Sequence, residues 1–274
     1  MNFGGRFNLR FAQKWYGSGC YDLCRTCSIA YLFFFFPLCY FQISLQAKKG
    51  HGKMKKRGQK LLVTGTILTG AFVIWTALVQ WIDVQPVGPN GTNIGFASLN
   101  CWFHQLTGVH MTVYTVTDWL SLVPLLICVV FGGIGLVQLI QRRSLFQVDL
   151  DLTILGIYYV LVMFAYFIFE MIPVNYRPVL IDGRIEASYP SSTTLLVLCV
   201  MPTLNFQVKR RMKSRRMIHA INTLSILFAG FMVTGRMISG VHWLTDIIGA
   251  GILSAGLYLI YKSSVLLLEK NINA

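Results

Sequence analysis

The residues best suited to chemistry lie near the C-terminal end, in the stretch Gly235 to Asp246, "GRMISGVHWLTD". His242 and Asp246 are four apart at the start of an apolar run, so a helix there places them on one face about one turn apart. A carboxylate in that position accepts from one imidazole nitrogen, fixes the tautomer and leaves the other nitrogen free to attack. Arg236, at the other end of the same loop, carries a planar guanidinium that grips phosphate oxygens bidentately. The plainer reading of the same residues is a helix cap with an interfacial histidine, and spacing alone leaves both open.

Two further polar clusters precede this one. Arg177-Pro178 offers a stiffly held cation beside Asn175 and Tyr176, suited to phosphate or to snorkelling toward lipid headgroups. Tyr189 to Thr194, "YPSSTT", places four hydroxyl side chains in a row where a helix begins. Those hydroxyls suit an N-cap, and together with backbone amides they also suit an oxyanion site.

The elements that position these clusters are membrane helices. Of 274 residues, 55% are hydrophobic and 12% charged, about half the charged content of a soluble domain. Mean hydropathy is +0.59. Apolar runs long enough to span fall at roughly 60–81, 119–141, 150–172, 194–208, 217–237 and 243–265, the fourth being the weakest because Pro202 interrupts it. The fold expected is an all-α, polytopic membrane bundle with six core transmembrane helices. The net charge of +14 does not point to nucleic acid, because the basic residues cluster between the apolar runs. They precede the first span (Lys48 to Lys60), follow the second (Arg142, Arg143) and follow the fourth (Lys209 to Arg216). The alternate loops hold only Arg177, Arg184 and Arg236. By the positive-inside rule both ends of the core face the cytoplasm, and the three polar clusters share the outer face.

Residues 1–53 read as an N-terminal extension with an apolar run near 28–46, followed by the six-span domain, 54–274. Met54 opens "MKKRGQKLLVTG", a basic start of the usual kind for an inside-anchored helix, and is the expected natural start. Four of the seven cysteines (Cys20, Cys24, Cys27, Cys39) lie in the extension, in no zinc-like spacing, and no metal or other cofactor is expected.

Taken in order, the clusters resemble the three motifs of the type 2 phosphatidic acid phosphatase (PAP2) superfamily, K-x6-R-P, P-S-G-H and S-R-x5-H-x3-D. The first reads here as Glu170, six residues, Arg177-Pro178. The second reads as Pro190-Ser191-Ser192-Thr193. The third reads as Gly235-Arg236, five residues, His242, three residues, Asp246. The resemblance implies a lipid phosphatase in a bacterial plasma membrane, acting on a phosphorylated membrane lipid of the polyprenyl diphosphate or phosphatidate type. It implies a phosphohistidine at His242, with Asp246 orienting it. Arg177, Arg236, Ser191 and Ser192 would bind the phosphoryl group, with no metal needed.

Two of the departures from that pattern matter for the chemistry. Glu170 stands where the family has lysine, an anion in place of a phosphate-binding cation, which repels phosphate unless it is protonated or paired with Arg177 or Arg184. Thr193 stands where the family has the histidine that protonates the leaving oxygen, and a hydroxyl is too weak an acid for that task. Three expectations follow: a leaving group that needs no proton, an acid supplied by His104 or His110 from the amphipathic stretch 100–119, or a homologue that binds phosphorylated lipid without turnover. A small transporter or channel component is the remaining class. Against it stand the absence of paired broken segments and the gathering of charge at one face.

Overall fold

A computed structural model describes residues 52–272, and helices account for most of them. The eight α-helices among the described residues are α1 (Gly52–Trp81), α2 (Ala97–Thr107), α3 (Met111–Leu120), α4 (Leu122–Arg142), α5 (Leu150–Met171), α6 (Ser192–Arg211), α7 (Arg215–Ile238) and α8 (Leu244–Ile272). No strand forms among the described residues; isolated bridges such as Gln85–Ile94 and Tyr176–Ala187 pin the loops. The apolar run near 28–46 and its cysteines lie outside the described residues.

Among the described residues, five stretches are long and apolar enough to cross a membrane: Lys56–Trp81, Met111–Arg142 (α3 running into α4), Leu150–Met171, Arg215–Ile238 and Leu244–Leu268. The sixth expected span corresponds to α6, which has the length but not the composition. Its burial explains the difference. Leu195, Val197, Cys199, Val200, Thr203 and Gln207 are all buried, so α6 is packed among the other helices and presents little surface to lipid. A helix solvated by protein tolerates threonine, glutamine and Pro202, whereas a helix facing hydrocarbon does not. By contrast, α4 and α7 turn Leu126, Val129, Ile140, Leu224, Ile226 and Leu227 outward, the inverse of a water-soluble surface.

Small residues set the closest helix contact. Thr69 Oγ1 donates to the Gly65 carbonyl at 2.9 Å, and a side chain on Gly256 would meet that hydroxyl at 2.7 Å, so α1 and α8 approach almost backbone to backbone. At one end of the bundle Arg211 Nη2 pairs with the buried Asp151 at 2.8 Å, and Arg142 Nη1 pairs with Asp149 at 3.0 Å. A hydrogen bond from Gln138, reinforced by Arg142 and Arg211, holds the Asp149 carboxyl below its usual range.

The connections 82–96, 172–191 and 239–243 meet at the other end. Gly95 N donates to Asn175 Oδ1 at 3.3 Å, and Trp243 Nε1 donates to the Tyr176 carbonyl at 2.7 Å. The α2–α3 stretch is tied to the same end. Asn100 Nδ2 donates to Thr245 Oγ1 at 3.0 Å, while His110 N donates to the Ser239 carbonyl at 3.0 Å. Its outer face leaves Trp102, Leu106 and Trp119 exposed, the pattern of an interfacial helix.

Candidate functional site

The loop between α7 and α8 holds His242 in place through its backbone. Gly240, two residues before it, has φ +68°, and a Cβ there would overlap the Gly108 carbonyl. Only glycine permits that conformation and that approach without strain. His104 Nε2 contacts the Gly240 carbonyl at 3.1 Å and its ring packs on Trp243, bracing the loop from α2. His110 Nε2 in turn meets the Thr107 carbonyl at 3.0 Å. Both histidines considered as proton donors therefore commit Nε2 to backbone carbonyls.

His242 is buried, with Nδ1 3.1 Å from the Ser188 carbonyl oxygen. A carbonyl only accepts, so Nδ1 carries the proton and Nε2 carries the lone pair. That Nε2 lies 3.4 Å from Arg177 Nη1. Burial, with the positive charges of Arg177 and Arg236, pushes the imidazole well below its ordinary value near 6.5, against an opposing contribution from the Ser188 carbonyl. The ring is neutral at neutral pH.

Asp246 is fully buried. Its Oδ2 accepts from Trp243 N at 2.9 Å and lies 3.6 Å from His242 Nδ1. The Asp246 carboxyl group thus closes the start of α8 and stands beside the imidazole, so the two readings of this pair coexist in one geometry. The hydrogen bond that sets the tautomer comes from Ser188, a backbone partner with no signature in the sequence.

Arg236 is 1% exposed yet charged, and its partners account for only part of its donors. Nη2 donates to Asp118 Oδ1 at 2.7 Å and to Thr193 Oγ1 at 2.6 Å, while Nε and Nη1 are buried without a hydrogen-bond partner. Arg177 Nε lies 3.1 Å from Glu186 Oε2, at ion-pair distance but without hydrogen-bond alignment. The Tyr114 ring lies under both guanidiniums, 4.9 Å from Arg236 Cζ and 5.8 Å from Arg177 Cζ. Two stacked cations with unfilled donors form a cradle for an anion with several oxygens.

Ser191 is the N-cap residue of α6, but its hydroxyl donates to Thr194 Oγ1 at 3.0 Å rather than capping the helix. Its backbone N donates to the Asp246 carbonyl at 3.3 Å, which joins the starts of α6 and α8. Ser192 lines a cleft with Tyr166, Glu170, Ser188, Leu195 and His242. Glu170 is exposed at the cleft's edge, and the partner of Arg177 is Glu186. Thr193 serves Arg236 as an acceptor. No group of three or more His, Cys, Asp or Glu suited to a metal ion occurs among the described residues.

Motif spacing did not reveal Asp118, Tyr114, Glu186 or Ser188. The one signal available was the i, i+4 spacing of Tyr114 and Asp118, which marks a common face of α3 but not what that face meets.

Comparison with known proteins bears on the family and the fold. Residues 152–268 match the PAP2 superfamily. All the motif positions, from Glu170 to Asp246, fall within that stretch. Among solved structures, the crystal structure of the first transmembrane PAP2 type phosphatidylglycerolphosphate phosphatase from Bacillus subtilis is similar in fold. Its TM-score is 0.50 at 16% sequence identity, covering 76% of this chain and 97% of that one. No curated protein matches. The chain is an integral membrane protein with a PAP2-like helical fold.

Proposed function

We propose that this PAP2-like protein is a membrane lipid phosphatase that hydrolyses a phosphate ester or diphosphate of a lipid through a phosphohistidine at His242. The observation that carries the reading is the tautomer. Nδ1–H is held by the Ser188 carbonyl, so the Nε2 lone pair sits beside the guanidinium of Arg177. In the first step Nε2 attacks phosphorus, the bond from phosphorus to the leaving oxygen breaks, and the electron pair departs with that oxygen. Arg177 and Arg236 hold the other phosphoryl oxygens, and Ser191 and Ser192 lie at the start of α6 beside them. The cationic phosphoimidazole keeps Nδ1–H on the Ser188 carbonyl, with the Asp246 carboxylate 3.6 Å away to balance its charge. Water then attacks phosphorus, breaks the P–N bond and frees phosphate.

The substrate class follows from Thr193. With a hydroxyl that accepts from Arg236 in place of an acid, the favoured leaving group is one that departs as a stable anion. A polyprenyl diphosphate meets that requirement, because its leaving group is a phosphate monoester. Phosphatidate and phosphatidylglycerolphosphate, the substrate named for the similar Bacillus subtilis structure, leave as alkoxides and need a proton. We place the site at the outer face of a bacterial plasma membrane, with both ends of the core cytoplasmic.

The same position favours a second reading, a homologue that binds phosphorylated lipid without turning it over. Purified protein in nanodiscs, offered undecaprenyl diphosphate, phosphatidate and phosphatidylglycerolphosphate, separates the two. Phosphate release that is fastest from the diphosphate and absent in His242→Ala supports the phosphatase. Release that survives His242→Ala removes the nucleophile, and binding of all three lipids without release establishes the second reading.

A further inference from the structure

Each of the two arginines of the cradle already has a carboxylate partner, and neither carboxylate belongs to the three motifs. Arg236, 1% exposed, pairs with Asp118 of α3 at 2.7 Å; Arg177, 12% exposed, lies 3.1 Å from Glu186 of the loop before α6. The exposures are opposite in the two halves of each pair. The guanidiniums are fixed in the interior, while the Asp118 and Glu186 side chains are 57% and 37% exposed. They approach the cations from the exposed side.

We infer that Asp118 and Glu186 are specificity-determining residues that discriminate a phosphoryl group carried on a lipid from free phosphate. The inference rests on the reading of Arg177 and Arg236 as the phosphoryl cradle. Without Asp118 and Glu186, two buried cations with unfilled donors would be a general anion trap, saturated by inorganic phosphate and inhibited by the product. With them, an incoming anion must displace or share the carboxylates, so its own charge gains little net attraction. A lipid substrate draws additional affinity from apolar contacts, and Tyr166, Phe169 and Leu195 line the cleft beside His242. Free phosphate has no such contribution. The pair therefore lowers affinity for the small anion more than for the lipid, and it speeds release of phosphate after the second step.

The test is direct titration of orthophosphate, by calorimetry or phosphorus NMR, on wild-type protein, Asp118→Asn, Glu186→Gln and the double variant in nanodiscs. Because the carboxylates are partly solvated, each single neutralisation is expected to tighten orthophosphate binding about ten-fold, and the double variant more. Asp118→Glu restores weak binding. KM for the lipid changes less than the phosphate affinity does, while kcat falls as product release slows. Orthophosphate affinity unchanged or weaker in both single variants overturns the inference. Should Asp118→Asn fail to fold around an unpaired Arg236, Glu186→Gln decides alone, since Glu186 is a loop residue. Tighter phosphate binding in a protein that hydrolyses no lipid removes the turnover reading and leaves this one standing. Lipid hydrolysis with unaltered phosphate affinity does the reverse.

Discussion

Replacing Gly240 by alanine separates loop placement from chemistry, because the substitution touches no proposed catalytic atom. Its effect follows from two observations. The residue has φ +68°, and an added Cβ would overlap the Gly108 carbonyl oxygen while standing 3.0 Å from Val109 Cα. Both neighbours are backbone, so no side chain can swing away. The loop 239–243 must then part from 108–110, which breaks the His110 N to Ser239 O bond at 3.0 Å and the His104 Nε2 contact with Gly240 O at 3.1 Å. The left-handed conformation and the two lost hydrogen bonds together amount to roughly 2–5 kcal/mol. That is enough to let the loop open locally while the helices stay folded. His242 lies two residues away, and a displacement of about 1 Å at a nucleophile lowers the rate by about 10²-fold. The assay is kcat/KM for lipid phosphate release in nanodiscs, read beside thermal unfolding. A control, Gly230→Ala in α7, adds a Cβ with nothing within 4 Å and is expected to change neither. Wild-type kcat/KM in Gly240→Ala would refute the claim that this turn positions the nucleophile.

Three other outcomes are expected. The acid limb of kcat/KM should fall well below pH 6.5, because burial and two arginines depress the His242 value and only protonation within the folded site removes the Nε2 lone pair. The same depression means that stability contributed by the buried neutral ring is complete above the unfolded value and is lost as pH falls from about 6.5 toward the lowered folded value; a titration of activity centred at 6.5 would count against it. Asp151→Asn, at the end of the bundle away from the site, should cost about 1–3 kcal/mol in unfolding measurements, since Asp151 is buried and paired with Arg211. Its kcat should stay at the wild-type level, and a large loss would indicate that the two ends are coupled. Thr193→His, which restores a titratable group at the second motif, should raise phosphatidate turnover relative to diphosphate turnover by about 10–10² if leaving-group protonation limits the former. An equal effect on both substrates would show that position 193 acts only through Arg236.

Much of this organisation was legible in the residues. Apolar runs placed the helices, and the uneven distribution of Lys and Arg put the three polar clusters at one end, where the loops 82–96, 172–191 and 239–243 do meet. The nearness of His242 and Asp246 was readable from their spacing, but the shared helix face was not realised: His242 stands in the loop before α8, and the turn that Asp246 closes on Trp243 N brings the pair to 3.6 Å. What escaped was long-range or carried by the backbone. The Arg236–Asp118 pair joins residues 118 apart, the Ser188 carbonyl has no side-chain signature, and Glu170 drew attention as the partner of Arg177 when Glu186 holds that place. The muted hydropathy of α6, expected as the weakest of the six runs, has a physical reason: burial among helices relaxes the need for an apolar surface.

Gly235 ties the departures together. The pattern that the third cluster resembles has serine there, but here a Cβ would stand 2.6 Å from the Thr117 methyl. Thr117 cannot yield easily, because its hydroxyl is bonded to the Val113 and Tyr114 carbonyls of its own helix. Glycine at 235 thus lets α3 settle against α7. That contact brings Tyr114 under the two guanidiniums and Asp118 onto Arg236. The Arg236 nitrogen that meets Asp118 also donates to Thr193, so the threonine that replaces the family's histidine is part of the same local arrangement. Serine to glycine at 235 and histidine to threonine at 193 are then not two separate losses. They are one rearrangement around Arg236, in which a carboxylate from α3 and a hydroxyl from α6 share a guanidinium nitrogen. In the proposed phosphatase, such a site keeps His242 as its nucleophile and Arg177 and Arg236 as its cations without a proton donor at Thr193. That combination suits a phosphorylated lipid whose leaving group departs already ionised.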